Sequence, residues 1–154
     1  ALALASERPA WRLTGVDRID EAVALAERNR AALQLGNASF LPSHWFSALG
    51  GQRFALIVSN PPYIRSDDQH LSQGDVRFEP ASALVAGRDG LTDLREIIAQ
   101  APDHLEHDGW LLLEHGYDQA EAVRELLAAA GFTAVDSRRD LGGHQRISLG
   151  RWTP

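Results

Sequence analysis

The chain contains no cysteine and no methionine. Without cysteine it can form neither a disulfide framework nor a thiolate metal site. Without methionine, residue 1 is not expected to be the natural start, although initiator removal would also leave a chain without one. Long hydrophobic runs are missing too: none approaches the roughly 20 residues of a membrane-spanning helix. The opening Ala1-Leu2-Ala3-Leu4-Ala5 is apolar, but it is short and lacks the basic leader of a secretory signal. It reads as the end of a helix. Positive charge is also in deficit, with 15 Lys and Arg against 21 Asp and Glu and a net charge of −6. That balance weighs against a free-standing nucleic-acid binder, while leaving room for a local basic patch. No repeat or low-complexity segment interrupts the chain.

What is present suits one globular domain over residues 1–154. Hydrophobic residues make up 44% and charged residues 23% of a chain long enough to bury a core. Short apolar runs alternate with helical patterns, the signature of βαβ units and a mostly parallel sheet. Residues 1–7 read as a helix tail and 11–16 as a strand ending at Asp17. Residues 19–35 read as a helix with Ile19, Ala22, Val23, Ala26 and Leu33 near one face, stopped by Gly36-Asn37. Residues 39–41 suggest a short strand. Residues 54–59 (FALIVS) are the clearest buried strand, continuously apolar as parallel strands tend to be. A long polar connection over 64–89 is too long for a simple linker and is expected to be functional. A helix over 91–105, a strand over 110–114 after the Asp108-Gly109 turn, and a helix over 119–130 follow. Strands at 132–136 and 145–149 close the chain as a hairpin, placing an antiparallel strand beside parallel ones.

Directly after the FALIVS strand comes Asn60-Pro61-Pro62-Tyr63. Two prolines cannot continue a strand or enter a helix directly. A plain proline-rich turn would account for them. The position favours more, because ligands of open α/β sheets bind at the carboxyl ends of strands. The residue types suit a planar amide. An amide nitrogen is a poor nucleophile because its lone pair is delocalised into the carbonyl. Acceptors on both N–H groups would draw density back onto it. The Asn60 side-chain oxygen and the Pro61 carbonyl can be those acceptors, preplaced by the stiff prolines. The Tyr63 ring can lie against the planar group. None of these is a strong base, so catalysis would rest on positioning for in-line transfer. The (Asn/Asp)-Pro-Pro-Tyr pattern is shared by methyltransferases that act on planar nitrogens, both adenine N6 and glutamine amides.

Further motifs narrow that choice. Val58 to Ile64, Gly74-Asp75-Val76-Arg77-Phe78-Glu79-Pro80, Ala83-Leu84, Gly87-Arg88-Asp89-Gly90-Leu91, Leu112-Leu113-Glu114-His115-Gly116 and Arg139 to Arg146 follow in order. Together they make essentially the whole chain resemble the HemK/PrmC family. The resemblance implies a Rossmann-like, class I S-adenosylmethionine-dependent methyltransferase, cytoplasmic and needing no metal. It implies methylation of the glutamine N5 in the Gly-Gly-Gln tripeptide of class 1 peptide-chain release factors. A ribosomal-protein glutamine methyltransferase and an adenine N6-methyltransferase are the alternatives. A degenerate fold serving as a partner-binding subunit is the non-enzymatic one. Asn60, Pro61 and Tyr63 would be catalytic, with Pro62 completing the substrate clamp. Asp17, Trp45 and Asn60 would bind cofactor: Asp17 at the ribose hydroxyls, Trp45 on the adenine face. Asp17 could instead only initiate the helix near Ile19, and Trp45 could be core. Many relatives carry Asp where this chain has His44, so adenine recognition differs at that position.

The family's first strand and its glycine-rich loop have no counterpart here. The expectation is a sequence that begins inside a longer protein, with two unpaired strand edges where that strand would sit. Alone, it is expected to fold poorly and to bind cofactor weakly. Three other features are open or bland. Arg77 and Glu79 could order the loop over a substrate or be a surface ion pair. Glu114-His115 could border the cofactor or be satisfied in the core. His104 and His107 read as a solvated helix end, and Gly50-Gly51-Gln52 as a turn.

Overall fold

The computed structural model describes residues 1–66 and 84–154. It divides into two compact units, Ala1–Gln52 and Arg53–Pro154. The first holds α1 (Leu2–Glu7), β1 (Leu13–Asp17), α2 (Asp20–Ala32) and β2 (Ala38–Pro42). The strands pair in parallel, Leu13 beside Ala38 through Asp17 beside Pro42. Asp20 and Glu21 in the first turn of α2 and Arg30 in its last complement the helix dipole. Glu27 joins α2 to β2, because one of its oxygens accepts from Arg30 at 2.7 Å and the other from the Phe40 N–H at 2.9 Å. Asn37 serves as an anchor rather than as the helix stop expected of it. Its side-chain nitrogen donates to the carbonyls of Ala5, Arg8 and Trp11 at 3.0, 3.3 and 3.1 Å.

The expected apolar face of α2 is not buried. No residue of α2 is fully buried, and Ile19 and Leu33, which flank it, are 45% and 60% exposed. Two strands make too narrow a surface to cover a helix within this unit.

The second unit holds β3 (Phe54–Ser59), α3 (Thr92–His104), β4 (Leu105–Glu114), α4 (Ala120–Ala129), β5 (Thr133–Arg139) and β6 (Gln145–Arg151). Its sheet runs in the order β3-β4-β6-β5. β3 and β4 are parallel, and β6 lies antiparallel between β4 and β5. The closing hairpin therefore places its antiparallel strand as the sequence implies. Leu94, Ile97, Ile98 and Ala101 form the buried stripe of α3, and Ala120, Val123 and Leu127 that of α4. Both stripes belong to the same core as Leu105, Leu111 and Leu113, each fully buried. Arg53 caps the end of α3 by donating to the carbonyls of Pro102 and Leu105 at 3.2 and 2.7 Å.

Two expectations change here. β4 starts at Leu105, not 110, because Asp108-Gly109 is a bulge inside the strand. Asp108 takes φ +66°, and a Cβ on Gly109 would lie 2.9 Å from the Glu106 carbonyl oxygen and 3.0 Å from that of Phe54. β3, read as the clearest buried strand, has no fully buried residue and leaves Val58 58% exposed. β3 has one strand partner among the described residues, and so has β1. β1 and β3 are thus each an edge strand of a separate sheet.

Candidate active site

The chain leaves β3 at Ser59 and enters Asn60-Pro61-Pro62-Tyr63, at the carboxyl end of the strand. Pro61 is buried and Asn60 is exposed. Among the described residues, no hydrogen bond engages the Asn60 side chain or the Pro61 carbonyl. Both proposed acceptors are therefore unspent.

Tyr63, by contrast, is held at both ends. Its carbonyl accepts from the Gln119 side-chain amide at 3.0 Å. The same nitrogen reaches the carbonyls of Gly90 and Asp89 at 3.3 and 3.4 Å, while Gln119 Oε1 accepts from the Gly116 N–H at 2.7 Å. Gln119, which precedes α4, so links the proline motif to the 87–91 turn and to the end of β4. Gly90 sits where no side chain fits: a Cβ there would be 2.4 Å from the Tyr63 carbonyl oxygen, and φ is +72°. The Tyr63 hydroxyl accepts from Arg146 at 2.7 Å and donates to Glu114 Oε1 at 3.4 Å.

Past Tyr63 the chain pairs with its own return. Ile64 bridges Val85, and Ser66 donates to the Gly87 carbonyl at 2.9 Å. Asp89 closes the turn: Arg95 and then the Leu91 N–H bind its carboxylate and hold its pKa down at about 2. Arg77, Glu79 and the 74–80 motif lie outside the described residues, as does Ala83.

A cavity of about 110 Å³ opens beside the motif, lined by Val58, Ser59, Asn60, Leu112, Glu114 and Ile147. That is well under the roughly 300 Å³ at which small-molecule pockets begin, so it suits a side-chain end rather than a whole cofactor. Glu114 and His115 part company here. Glu114 lines the cavity, whereas His115 is fully buried. The two His115 ring nitrogens lie 2.8 Å from the Gly116 carbonyl and 2.8 Å from Ser148 Oγ. Ser148 continues to Ser137 at 2.8 Å, and Arg124 donates to Ser137 at 2.8 Å. Burial holds the His115 pKa below its ordinary value against the opposing pull of the Gly116 carbonyl. His115 is thus satisfied in the core.

In the first unit, Asp17 ends β1, and Ser43 after β2 donates to its carbonyl at 2.9 Å. One Asp17 carboxylate oxygen accepts from the Ile19 N–H at 2.9 Å, a local turn ahead of α2; Ile19 is the N-cap and no side chain caps the helix, so the helix-initiating alternative is not realised as a cap. The other makes no hydrogen bond among the described residues. Trp45 follows at the same end of this parallel pair, in a turn gathered by Ser43. The Ser43 hydroxyl donates to the Trp45 carbonyl at 2.9 Å and accepts from the Ala48 N–H at 3.0 Å. Trp45 has φ +46°, and its indole N–H is buried without a partner. A left-handed non-glycine residue costs roughly 1–2 kcal/mol, and such strain gathers at ligand clamps. A larger hollow, about 520 Å³, runs from Pro9 to Thr14 and from Gly36 to Ser39. It lies at the amino ends of β1 and β2, the wrong end for a ligand of a parallel sheet.

The described residues include no group of three or more His, Asp or Glu placed to hold a metal ion, and no helix long and apolar enough to cross a membrane. His104 closes α3 and His107 lies exposed on β4, so helical spacing does not relate them. Sequence reasoning missed the roles of Gln119 and Arg146. Gln119 read only as a helix start, and Arg146 only as the last letter of a motif.

An α/β fold with parallel pairs, a C-terminal antiparallel hairpin and a proline motif at a strand's carboxyl end defines a Rossmann-like, class I methyltransferase architecture. The chain belongs to the methyltransferase small domain family, which matches residues 1–87. It is 68% identical over 149 residues to the release factor glutamine methyltransferase of Pseudomonas aeruginosa, covering 97% of this chain and 54% of that protein. It is 54% identical over 152 residues to the protein of the same name from Escherichia coli K12, covering 99% and 55%. The chain thus spans about half the length of these curated relatives. Its fold is similar to a methyltransferase from Pyrococcus furiosus, with TM-score 0.69, 18% identity, and 99% and 69% coverage. It is also similar to the release-factor-specific protein-(glutamine-N5) methyltransferase of Alicyclobacillus acidocaldarius, with TM-score 0.51, 24% identity, and 94% and 81% coverage.

Proposed function

We propose that residues 1–154 belong to the catalytic domain of an S-adenosylmethionine-dependent enzyme that methylates a glutamine side-chain amide. The substrate is the glutamine of the Gly-Gly-Gln tripeptide in class 1 peptide-chain release factors. The observation that carries this reading is the pair of unspent acceptors at Asn60 and Pro61, beside a fixed Tyr63. The names of the relatives over nearly the whole chain support the choice of substrate.

Asn60 Oδ1 and the Pro61 carbonyl each accept one N–H of the substrate amide, which counters delocalisation of the nitrogen lone pair. Pro61 and Pro62 keep that backbone from rearranging as substrate arrives. The Tyr63 ring packs on the amide plane. The nitrogen would gain a methyl group as the methyl–sulfonium bond breaks, leaving the thioether S-adenosylhomocysteine, and its proton would pass to water after the C–N bond forms. When bound, S-adenosylmethionine supplies the electrophilic methyl group. The residues present fit that cofactor: Asp17 keeps one carboxylate oxygen for ribose hydroxyls, and the half-buried Trp45 supplies an aromatic ring for a purine at the same strand end. Asn60 would also contact the cofactor, as the family resemblance implies. A cytoplasmic place of work, alongside translation, follows from this substrate.

The test is transfer of labelled methyl from S-adenosylmethionine by the full-length protein to a release factor with its Gly-Gly-Gln intact or with the Gln replaced. Labelling is expected only with the Gln present. Equal labelling of both would sink the assignment, and labelling of DNA or a ribosomal protein instead would move it to one of the alternatives.

A further inference from the structure

The Tyr63 hydroxyl makes two hydrogen bonds, and both partners are charged side chains from distant parts of the chain. Arg146 Nη2 donates to it at 2.7 Å, and it donates in turn to Glu114 Oε1 at 3.4 Å. The guanidinium carbon also lies over the Tyr63 ring, 5.1 Å from its centroid. Arg146 Nη2 stands 3.5 Å from Glu114 Oε1, so the three groups close into a ring of contacts. The base of this arrangement is rigid. The Arg146 carbonyl accepts from the His115 N–H at 3.0 Å, which fixes β6 to the end of β4. Arg146 itself is largely covered, its side chain 24% exposed.

The geometry points to Arg146 as the positioning residue for Tyr63, with Glu114 holding the guanidinium in turn. This rests on the reading of Tyr63 as the surface on which a substrate amide lies. A guanidinium stays protonated at any working pH, so Arg146 cannot take the proton that the amide loses. The Tyr63 hydroxyl directs its one proton to Glu114, so it has none to donate to the substrate. What Tyr63 offers is its ring, and what Arg146 does is set the angle of that ring. Swinging the ring away would break a charge-assisted hydrogen bond and a cation–ring contact together. Lysine cannot replace Arg146, because a single ammonium cannot donate to the hydroxyl and lie flat against the ring at once.

The experiment uses the full-length protein, with methyl transfer to an intact release factor as one readout. Arg146→Met should lower kcat about tenfold, mid-range for a contacting pair, and leave the Kd of S-adenosylmethionine unchanged. In a Tyr63→Phe background, where the hydroxyl is gone and only the ring contact remains, the same substitution should cost clearly less, about threefold, the scale of a cation–ring contact. Arg146→Lys should fall nearer to Met than to Arg. The second readout is independent of activity: with 3-fluorotyrosine incorporated, the ¹⁹F signal assigned to residue 63 by its loss in Tyr63→Phe should shift in Arg146→Met. Equal rate losses in both backgrounds, or an unmoved fluorine signal, overturn the proposal. If the unsubstituted protein fails to methylate the glutamine, the proposed function falls, and this proposal with it. Normal transfer with an uncoupled Arg146 removes this proposal alone.

Discussion

The side-chain amide of Gln119 ends 3.0 Å from the carbonyl oxygen of Tyr63, across 56 residues of sequence. Gln119 is buried, and its nitrogen also serves the carbonyls of Asp89 and Gly90. Replacing it by leucine keeps the bulk and removes every bond. The Gly116 N–H and the shared carbonyls would then be left without their partner. Gln119→Leu should cost about 1–3 kcal/mol of stability, read from the urea midpoint. Methyl transfer should fall as well, because one of those carbonyls belongs to Tyr63. An unchanged midpoint would show that the bonds contribute nothing.

Asn60 is the opposite case, exposed and without a hydrogen bond among the described residues. Asn60→Ala should therefore change stability by no more than about 0.5 kcal/mol. Turnover should drop by roughly 10²-fold or more, the scale set by losing one preorganised transition-state contact. Single-turnover methyl transfer beside a thermal melt separates the two effects. Near-normal rates would remove the amide clamp from the mechanism.

His115 gives a pH dependence with a definite sign. Its folded pKa lies below the ordinary histidine value of about 6.5, because burial disfavours the imidazolium. Between the two values the unfolded chain binds the proton and the folded chain does not. The stability contributed by neutral His115 is thus fully present above about pH 6.5, and it is lost as pH falls through the folded pKa. Urea midpoints followed from about pH 8 to about pH 5 should decline more steeply in the unsubstituted protein than in His115→Gln. Parallel curves would mean that His115 titrates normally.

The two units should also differ in local stability. In the first, two strands carry a helix with no buried residue. In the second, four strands and two helices share a core in which Leu94, Leu111, Leu113 and Leu127 are fully buried. Amide hydrogens of β1 and β2 should exchange faster than those of β4 and β6, because opening them exposes less apolar surface. Equal protection across the chain would contradict this.

The parts that were legible in the sequence are local. Prolines cannot continue a strand, so Asn60-Pro61-Pro62-Tyr63 marked the end of β3 without any structure. Gly131 placed the end of α4 closely, and Gly142-Gly143 marked the closing turn, but β5 runs to Arg139 and β6 to Arg151, past the expected ends at 136 and 149. Asp108-Gly109 carried a real turn signal, but a bulge and a strand start share the same chemistry. Burial was less legible, since FALIVS reads as apolar wherever it sits, and exposure of Val58 depends on which strands flank β3. Least legible were Gln119 and Arg146. Each meets Tyr63 across more than 50 residues, and no spacing rule encodes a contact made by the fold.

The hydrogen-bonded thread from His115 through Ser148 to Ser137 ties β4, β6 and β5 by side chains as well as by backbone. Side chains on a strand alternate between faces, so a slip of β6 by one residue would bring Ile147 inward and send Ser148 out. His115 and Ser137 would then face a hydrocarbon. The thread therefore proofreads the alignment of the closing hairpin. Only one alignment satisfies it, and that same alignment brings Arg146 to Tyr63.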